Sequence, residues 1–143
     1  MTGDSTAHPD RVRKIVFVCG KTYYSLAKHR EETGVSDVAI IRLESLAPFP
    51  AHEILQEVSK YKKAKKFVNK YLMEYLSLQV FIWSQEEHQN MGAWSFVRPR
   101  FENLIGIKLR YAGRGPLAAP AVGIGSVHQQ EAAAVISKPF SIQ

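Results

Sequence analysis

Three short runs constrain this chain more than anything else in it: "KIVFVC" at residues 14–19, "VAIIRLE" at 38–44 and "VFIWS" at 80–84. Each is continuously apolar and rich in β-branched or aromatic residues, without the alternation of a half-buried strand. Such runs suit strands covered on both faces. "LRYAG" at 109–113 is a weaker fourth. Helical patterns lie between them. One spans 22–32, capped by Thr22 and closed near Gly34, and a second runs from Pro50, at its first helical position, to about residue 65 with Ile54, Leu55 and Val58 on one side. A third covers 92–105, with Trp94, Val97, Phe101 and Leu104 at helical spacing, and Pro99 predicts a kink or break inside it. The last starts at Ser126, where Ser126 and Gln129 make a capping-box pattern, and ends before Pro139. Strand and helix alternate, which predicts an α/β fold built on a mostly parallel sheet with helices on both sides. A length of 143 residues fits one domain with a real core.

The net charge of +6 does not point to nucleic acid, because one run carries it. Residues 60–70 hold six lysines and no acid, so the rest of the chain balances at thirteen of each sign. A nucleic-acid surface spreads Lys and Arg over a face with aromatic stacking groups among them, and this run reads as a solvated charge run. No apolar stretch has membrane-spanning length and no secretory pattern opens the chain. Cys19 is the single cysteine, which excludes an internal disulfide and a cysteine-based zinc site. Its place at a strand end reads as that of a small buried residue.

Two motifs imitate nucleotide sites. "CGKT" at 19–22 follows a strand and opens a helix as the end of a P-loop does, but Ile15 stands where the first glycine belongs. Gly20, Lys21 and the amides at the helix start could hold a surface anion, while a tight strand-to-helix turn explains the glycine without any ligand. "GIGSVH" at 123–128 has two glycines of a dinucleotide fingerprint with His128 in place of the third, and it reads as loop and helix cap. The five histidines are scattered without metal spacing, and no serine sits in a nucleophile elbow. The densest polar cluster is "FIWSQEEHQNMGAWSFVRPRFE" at 81–102. Glu86 and Glu87 are expected just past the carboxyl end of a strand, where open α/β sheets place their sites. Adjacent carboxylates there could share a proton or bind a cation; equally they could stabilise the next helix start or pair with Arg98 and Arg100.

The blocks "VCGKTYYSLAKHRE", "AIIRLESLAPFP", "IWSQEEHQNMGAWSFVRPRFE" and "LRYAGRGPLAAPAVGIGSVHQQE" resemble, in order and wording, the C-terminal domain of the E1 component of 2-oxoglutarate dehydrogenase. Within that family the resemblance runs toward the dehydrogenase E1 and transketolase domain-containing branch linked to 2-oxoadipate. It implies a Rossmann-like three-layer domain of the transketolase C-terminal kind. It also implies an enzyme that uses thiamin diphosphate and magnesium to decarboxylate a 2-oxo acid, passes the acyl group to a lipoyl carrier on an E2 partner, and works as a homodimer in the mitochondrial matrix. The parts that hold the cofactor belong to preceding domains, so the resemblance implies no catalytic, cofactor-binding or metal-binding residue in this chain, and a fragment that does not catalyse alone. "QEEHQNMGAW" matches an interfacial strand end in that family. Gln85, Glu86 and Glu87 are expected to orient the turn, and Gly92 to let the next helix start close to its neighbour. Arg110 and Arg114 are basic candidates for a phosphate-bearing effector. The alternative is a stand-alone, non-catalytic α/β module that dimerises or binds a phosphate ligand.

One departure from the family interrupts the resemblance. Relatives run from a "KYKxAK" helix end almost directly into "IWSQEE", whereas here "KFVNKYLMEYLSLQV" at 66–80 intervenes and itself has an amphipathic, helical pattern. Val68 and Gln79 admit codons that would open and close an intron, so 68–79 reads as a translated in-frame intron or as a surface insertion, which loop-closure cost tolerates. Residues 1–13 read as linker and 14–143 as the domain.

Overall fold

The computed structural model describes residues 1–61 and 79–142. The continuous apolar runs become parallel strands: β1 (Lys14–Val18), β2 (Val38–Arg42), β3 (Val80–His88) and β4 (Arg110–Arg114), in the order β2-β1-β3-β4. Lys14 stands opposite Val38 on one side and Val80 on the other, and Ile82 opposite Arg110. The helices are α1 (Thr22–Thr33), α2 (Ala51–Ser59), α3 (Trp94–Arg100) with a π turn at Phe101–Ile105, and α4 (Gly125–Ser141).

Alternate strand residues divide two cores, as the strand period requires. Ile15, Phe17, Ala39, Ile41, Phe81 and Trp83 pack with Ile54 and Val58 of α2 and with Trp94, Val97 and Phe101 around α3. Val16, Val18, Val38, Ile40, Ile82 and Ala112 pack against Leu26 of α1, with Phe140 and Ile142 at the end of α4. The result is a three-layer α/β domain. The chain turns one way after β1 and the other way after β3, so the switch point where such sheets place their sites lies between the carboxyl ends of these two strands.

Several local expectations shift. β3 runs to His88 rather than stopping near Ser84, so Glu86 and Glu87 lie within the strand. Thr22 is the first helical residue and not a cap: the chain is thrown from strand to helix by Gly20 at φ 63°, and Lys21 is already helical. Pro50 is the N-cap of α2, its carbonyl accepting the Ile54 amide at 3.0 Å; α2 closes at Ser59, and residues 62–65 of its expected end lie outside the described residues. Pro99 does not end its helix; the turn after it widens to a π turn instead. That extra residue per turn puts Ile105 in the core and leaves Leu104 59% exposed. α4 begins at Gly125 without a side-chain cap and continues through Pro139. Pro139 withholds one backbone donor near the helix end, and its ring is buried. Lys14 Nζ to Phe140 O at 2.6 Å and Lys138 Nζ to Gly113 O at 3.2 Å tie that end to the sheet.

The first thirteen residues, expected as linker, lie against the sheet, with Thr2 bridged to Arg42 and Val12 buried in the core. Tyr61, just past α2, and Gln79, just before β3, touch. Gln79 Nε2 donates to Tyr61 O at 3.1 Å, and the Val80 amide to Arg13 O.

Candidate functional site at the end of the third strand

β3 ends as "SQEEH", and the strand period decides what each residue meets. Gln85 turns to the α3 side and is 2% exposed. Its Oε1 accepts the indole N–H of Trp83 at 2.9 Å and the backbone N–H of Trp94 at 3.0 Å. Its Nε2 donates to the carbonyls of His88 at 3.0 Å and Met91 at 2.8 Å. One amide thus joins the strand, the turn that follows and the first turn of α3. The start of α3 is served by Gln85, whose oxygen takes the Trp94 amide, and among the described residues no hydrogen bond joins Glu86 or Glu87 to that helix. Gly92, at φ 62°, lies against this amide: a Cβ there would stand 3.0 Å from Glu87 Oε2 and 3.1 Å from Gln85 Nε2. Both the left-handed backbone and the missing side chain are required.

Glu86 and Glu87 expose their carboxylates. Glu86 pairs with Lys21 at 3.4 Å, an exposed bridge across the mouth of the switch-point crevice, beside a cavity of about 390 Å³ between the start of α1 and the middle of α4. The expected partners are engaged elsewhere: Arg98 with Glu102 at 3.3 Å, and Arg100 with Phe96 O at 2.8 Å and over the Phe96 ring. Helical spacing brings those arginines to their own helix faces, away from the strand end. Cys19 is half-buried just past β1, and burial, followed by the charge of Glu87, pushes its thiol pKa up, away from reactivity.

Arg110 and Arg114 stand at opposite ends of β4, four residues and so about 13 Å apart. They do not form one cradle. Arg110 is exposed, while the Arg114 side chain is 4% exposed and engaged. Its Nε donates to Glu86 O at 3.0 Å, Nη1 meets Glu131 at 2.6 Å, and Nη2 donates to His128 Nδ1 at 3.4 Å. Arg114 therefore locks α4 to the ends of β3 and β4.

Sequence reasoning missed three members of this junction. His88 is buried, its Nδ1 donating to Gly115 O at 2.9 Å. The Asn90 side chain pairs like a strand with the Leu117 backbone, at 2.8 and 3.0 Å. Tyr111 curls over Gly113, with its hydroxyl 2.9 Å from Arg114 O and 3.1 Å from Glu87 O; burial, with a smaller contribution from Glu87, pushes its pKa up to about 12. The small residue two positions after Tyr111 was the available signal, since a Cβ at Gly113 would meet that hydroxyl at 2.4 Å. Chemically the arrangement orders backbone. Among the described residues no three His, Cys, Asp or Glu side chains converge as ligands for a cation.

The 2-oxoglutarate dehydrogenase C-terminal family matches this chain over residues 2–70 and 66–140. The 2-oxoadipate dehydrogenase complex component E1 of Rattus norvegicus is 49% identical over 97% of the chain, and that of Homo sapiens 48% identical over the same share. The mitochondrial 2-oxoglutarate dehydrogenase of Caenorhabditis briggsae is 41% identical over 99%. The chain spans only 14% of the length of the first two and 13% of the third.

Proposed function

The chain belongs to the 2-oxoglutarate dehydrogenase C-terminal family, and from that premise we propose that it serves as the structural and dimer-interface domain of a 2-oxo acid dehydrogenase E1 acting on 2-oxoadipate or 2-oxoglutarate. The observation that carries this reading is the 49% identity extending over 97% of the chain. The junction supports it. Gln85 and Gly92 fix the strand end and the start of α3, so that Glu86, Glu87 and the exposed apolar loop of Ala118, Ala119, Pro120 and Ala121 form one rigid rim for neighbouring protein.

In such an enzyme thiamin diphosphate supplies the electron sink for decarboxylation and magnesium holds its diphosphate; on this reading both are bound by domains outside this chain, and among the described residues no three His, Cys, Asp or Glu side chains converge as ligands for the metal. This domain's contribution is to hold the catalytic domains of two subunits in register. The partners are a second E1 subunit and a lipoyl-bearing E2, and the site of work is the mitochondrial matrix, in keeping with the mitochondrial relative. Residues 66–80 are proposed as an insertion in the family pattern. The break of the family match into two segments that overlap at 66–70, and the contact between Tyr61 and Gln79, support this.

The test is a chimera in which this chain replaces the corresponding domain of the Rattus norvegicus relative. A sedimenting dimer with 2-oxoadipate turnover is expected, along with no turnover by this chain alone in the presence of thiamin diphosphate and magnesium. Turnover by the chain alone, or a chimera that folds and stays monomeric, overturns the reading. A chain that dimerises alone and cannot replace the domain would favour the stand-alone module.

A further inference from the structure

β2 is an edge strand, and its outward row of backbone groups is occupied by the chain's own first residues. The Thr2 amide donates to Arg42 O at 2.9 Å and the Arg42 amide to Thr2 O at 3.0 Å, an antiparallel bridge. One step along, the Ile40 amide donates to a carboxylate oxygen of Asp4 at 2.8 Å, and next to that Arg30 Nη1 donates to Val38 O at 3.0 Å while pairing with the same carboxylate. Asp4 is 2% and Arg30 14% exposed as side chains. The other Asp4 oxygen accepts the amides of Thr6 at 2.9 Å and Ala7 at 3.2 Å and the Thr6 hydroxyl at 2.8 Å. Gly3 passes so close to Glu57 that a Cβ would fall 2.1 Å from its carboxylate.

This covering is unlike a strand. It consists of one bridging residue and one carboxylate from the first residues, with one guanidinium from α1 beside them, and a single buried side chain, Asp4, holds its middle. We infer that residues 2–7 form an edge plug pinned by Asp4, and that the occupant of the β2 edge when the plug lifts is β2 of a second copy of this chain. The strand is self-complementary for that pairing. Antiparallel about Ile40, Val38 of each copy faces Arg42 of the other, so that the outward groups now served by Thr2, Asp4 and Arg30 exchange hydrogen bonds across a two-fold axis. An uncovered edge of this kind is a ready template for pairing.

Asp4→Ala in the full chain tests this by amide hydrogen exchange and sedimentation velocity over a range of concentrations. Expected at low concentration is at least tenfold faster exchange at the Ile40 and Arg42 amides with Ile82 unchanged. As concentration rises, a dimer should appear in which Ile40 is protected again. Unchanged exchange at Ile40 refutes the pin. A variant that stays monomeric with Ile40 fast, or that dimerises with Ile40 still fast, refutes the pairing. Should exchange at Ile82 rise with Ile40, showing that the variant has unfolded, Thr6→Ala is read by the same criteria, with at least a threefold rise at Ile40 and the same return of protection on dimerisation required.

Discussion

Replacing Gln85 by alanine should cost this domain about 3 to 5 kcal/mol. The amide satisfies two donors that have no other acceptor among the described residues: the indole N–H of Trp83, a residue 0% exposed, and the backbone N–H of Trp94. Each buried donor left unpaired costs about 1 to 3 kcal/mol. The carbonyls of His88 and Met91 lose donors too, though Met91 is only half-buried and water can serve it. Against a typical domain stability of about 5 to 15 kcal/mol, that loss is about a fifth or more of the whole. The assay is urea unfolding followed by tryptophan fluorescence, which is well placed because the chain's two tryptophans are both partners of the Gln85 amide oxygen. Gln85→Glu separates the donor from the acceptor half. A carboxylate keeps both acceptor contacts but faces two carbonyls, so its pKa in the folded state should rise above the unfolded value near ~4.3. A carboxyl raised in this way favours the folded state below the unfolded pKa, and that advantage is lost as pH climbs toward the folded pKa. Gln85→Glu should therefore be closer to wild type at pH 4 than at pH 7. An alanine variant costing less than about 1 kcal/mol, or a glutamate variant with no such slope, would refute the account of the junction.

Ser84 is 0% exposed and its hydroxyl has no hydrogen-bond partner among the described residues, so Ser84→Ala should be neutral or stabilising by up to about 1 kcal/mol in the same unfolding assay. Glu86→Gln should cost the chain itself less than about 1 kcal/mol, because its bridge to Lys21 lies between groups 84% and 48% exposed; a larger loss in isolated-domain unfolding would show a partner other than Lys21. Deleting residues 68–79 removes the Gln79 contact, about 1 kcal/mol, and shortens the connection roughly threefold, which returns about 1 kcal/mol, so the midpoint should barely move. Tyr111 is raised to about 12, chiefly by burial, so its contribution is whole below the unfolded value near ~10 and lost as pH rises through about 12; Tyr111→Phe should flatten the alkaline loss of stability in that window.

The sheet was legible because burial on both faces writes itself as unbroken apolar runs, and β1, β2 and the start of β3 follow from that alone. The end of β3 was not, since its last residues are polar and their strand character rests on pairing His88 with Arg114 across an irregular register. Gln85 and Gly92 could be singled out from the cluster, yet what they bind is set by a turn that returns Met91 and Trp94 to the strand, a three-dimensional fact. The carboxylates were matched to the nearest arginines in sequence, whereas Glu86 meets Lys21, sixty-five residues earlier, through the parallel pairing of β1 with β3. Asp4 looked like part of a linker because nothing local marks a carboxylate whose partners are an amide thirty-six residues on and a guanidinium twenty-six residues on. Pro139 was read as a stop, though a buried ring near a helix end forfeits only one backbone bond.

The contact between Tyr61 and Gln79 has a use outside this protein's own biology. Two positions held this close, at the far end of α2 and the foot of β3, make a seam through which chain can be threaded without altering the sheet. A reporter domain whose own termini lie close together, joined at 68–79, would ride on the fold as a side branch, and its signal would follow the ordering of α2 against β3. The same seam is a natural place to cut for a circular permutant: once the original ends are joined, the new termini fall beside two positions that hydrogen-bond to each other across eighteen residues of sequence.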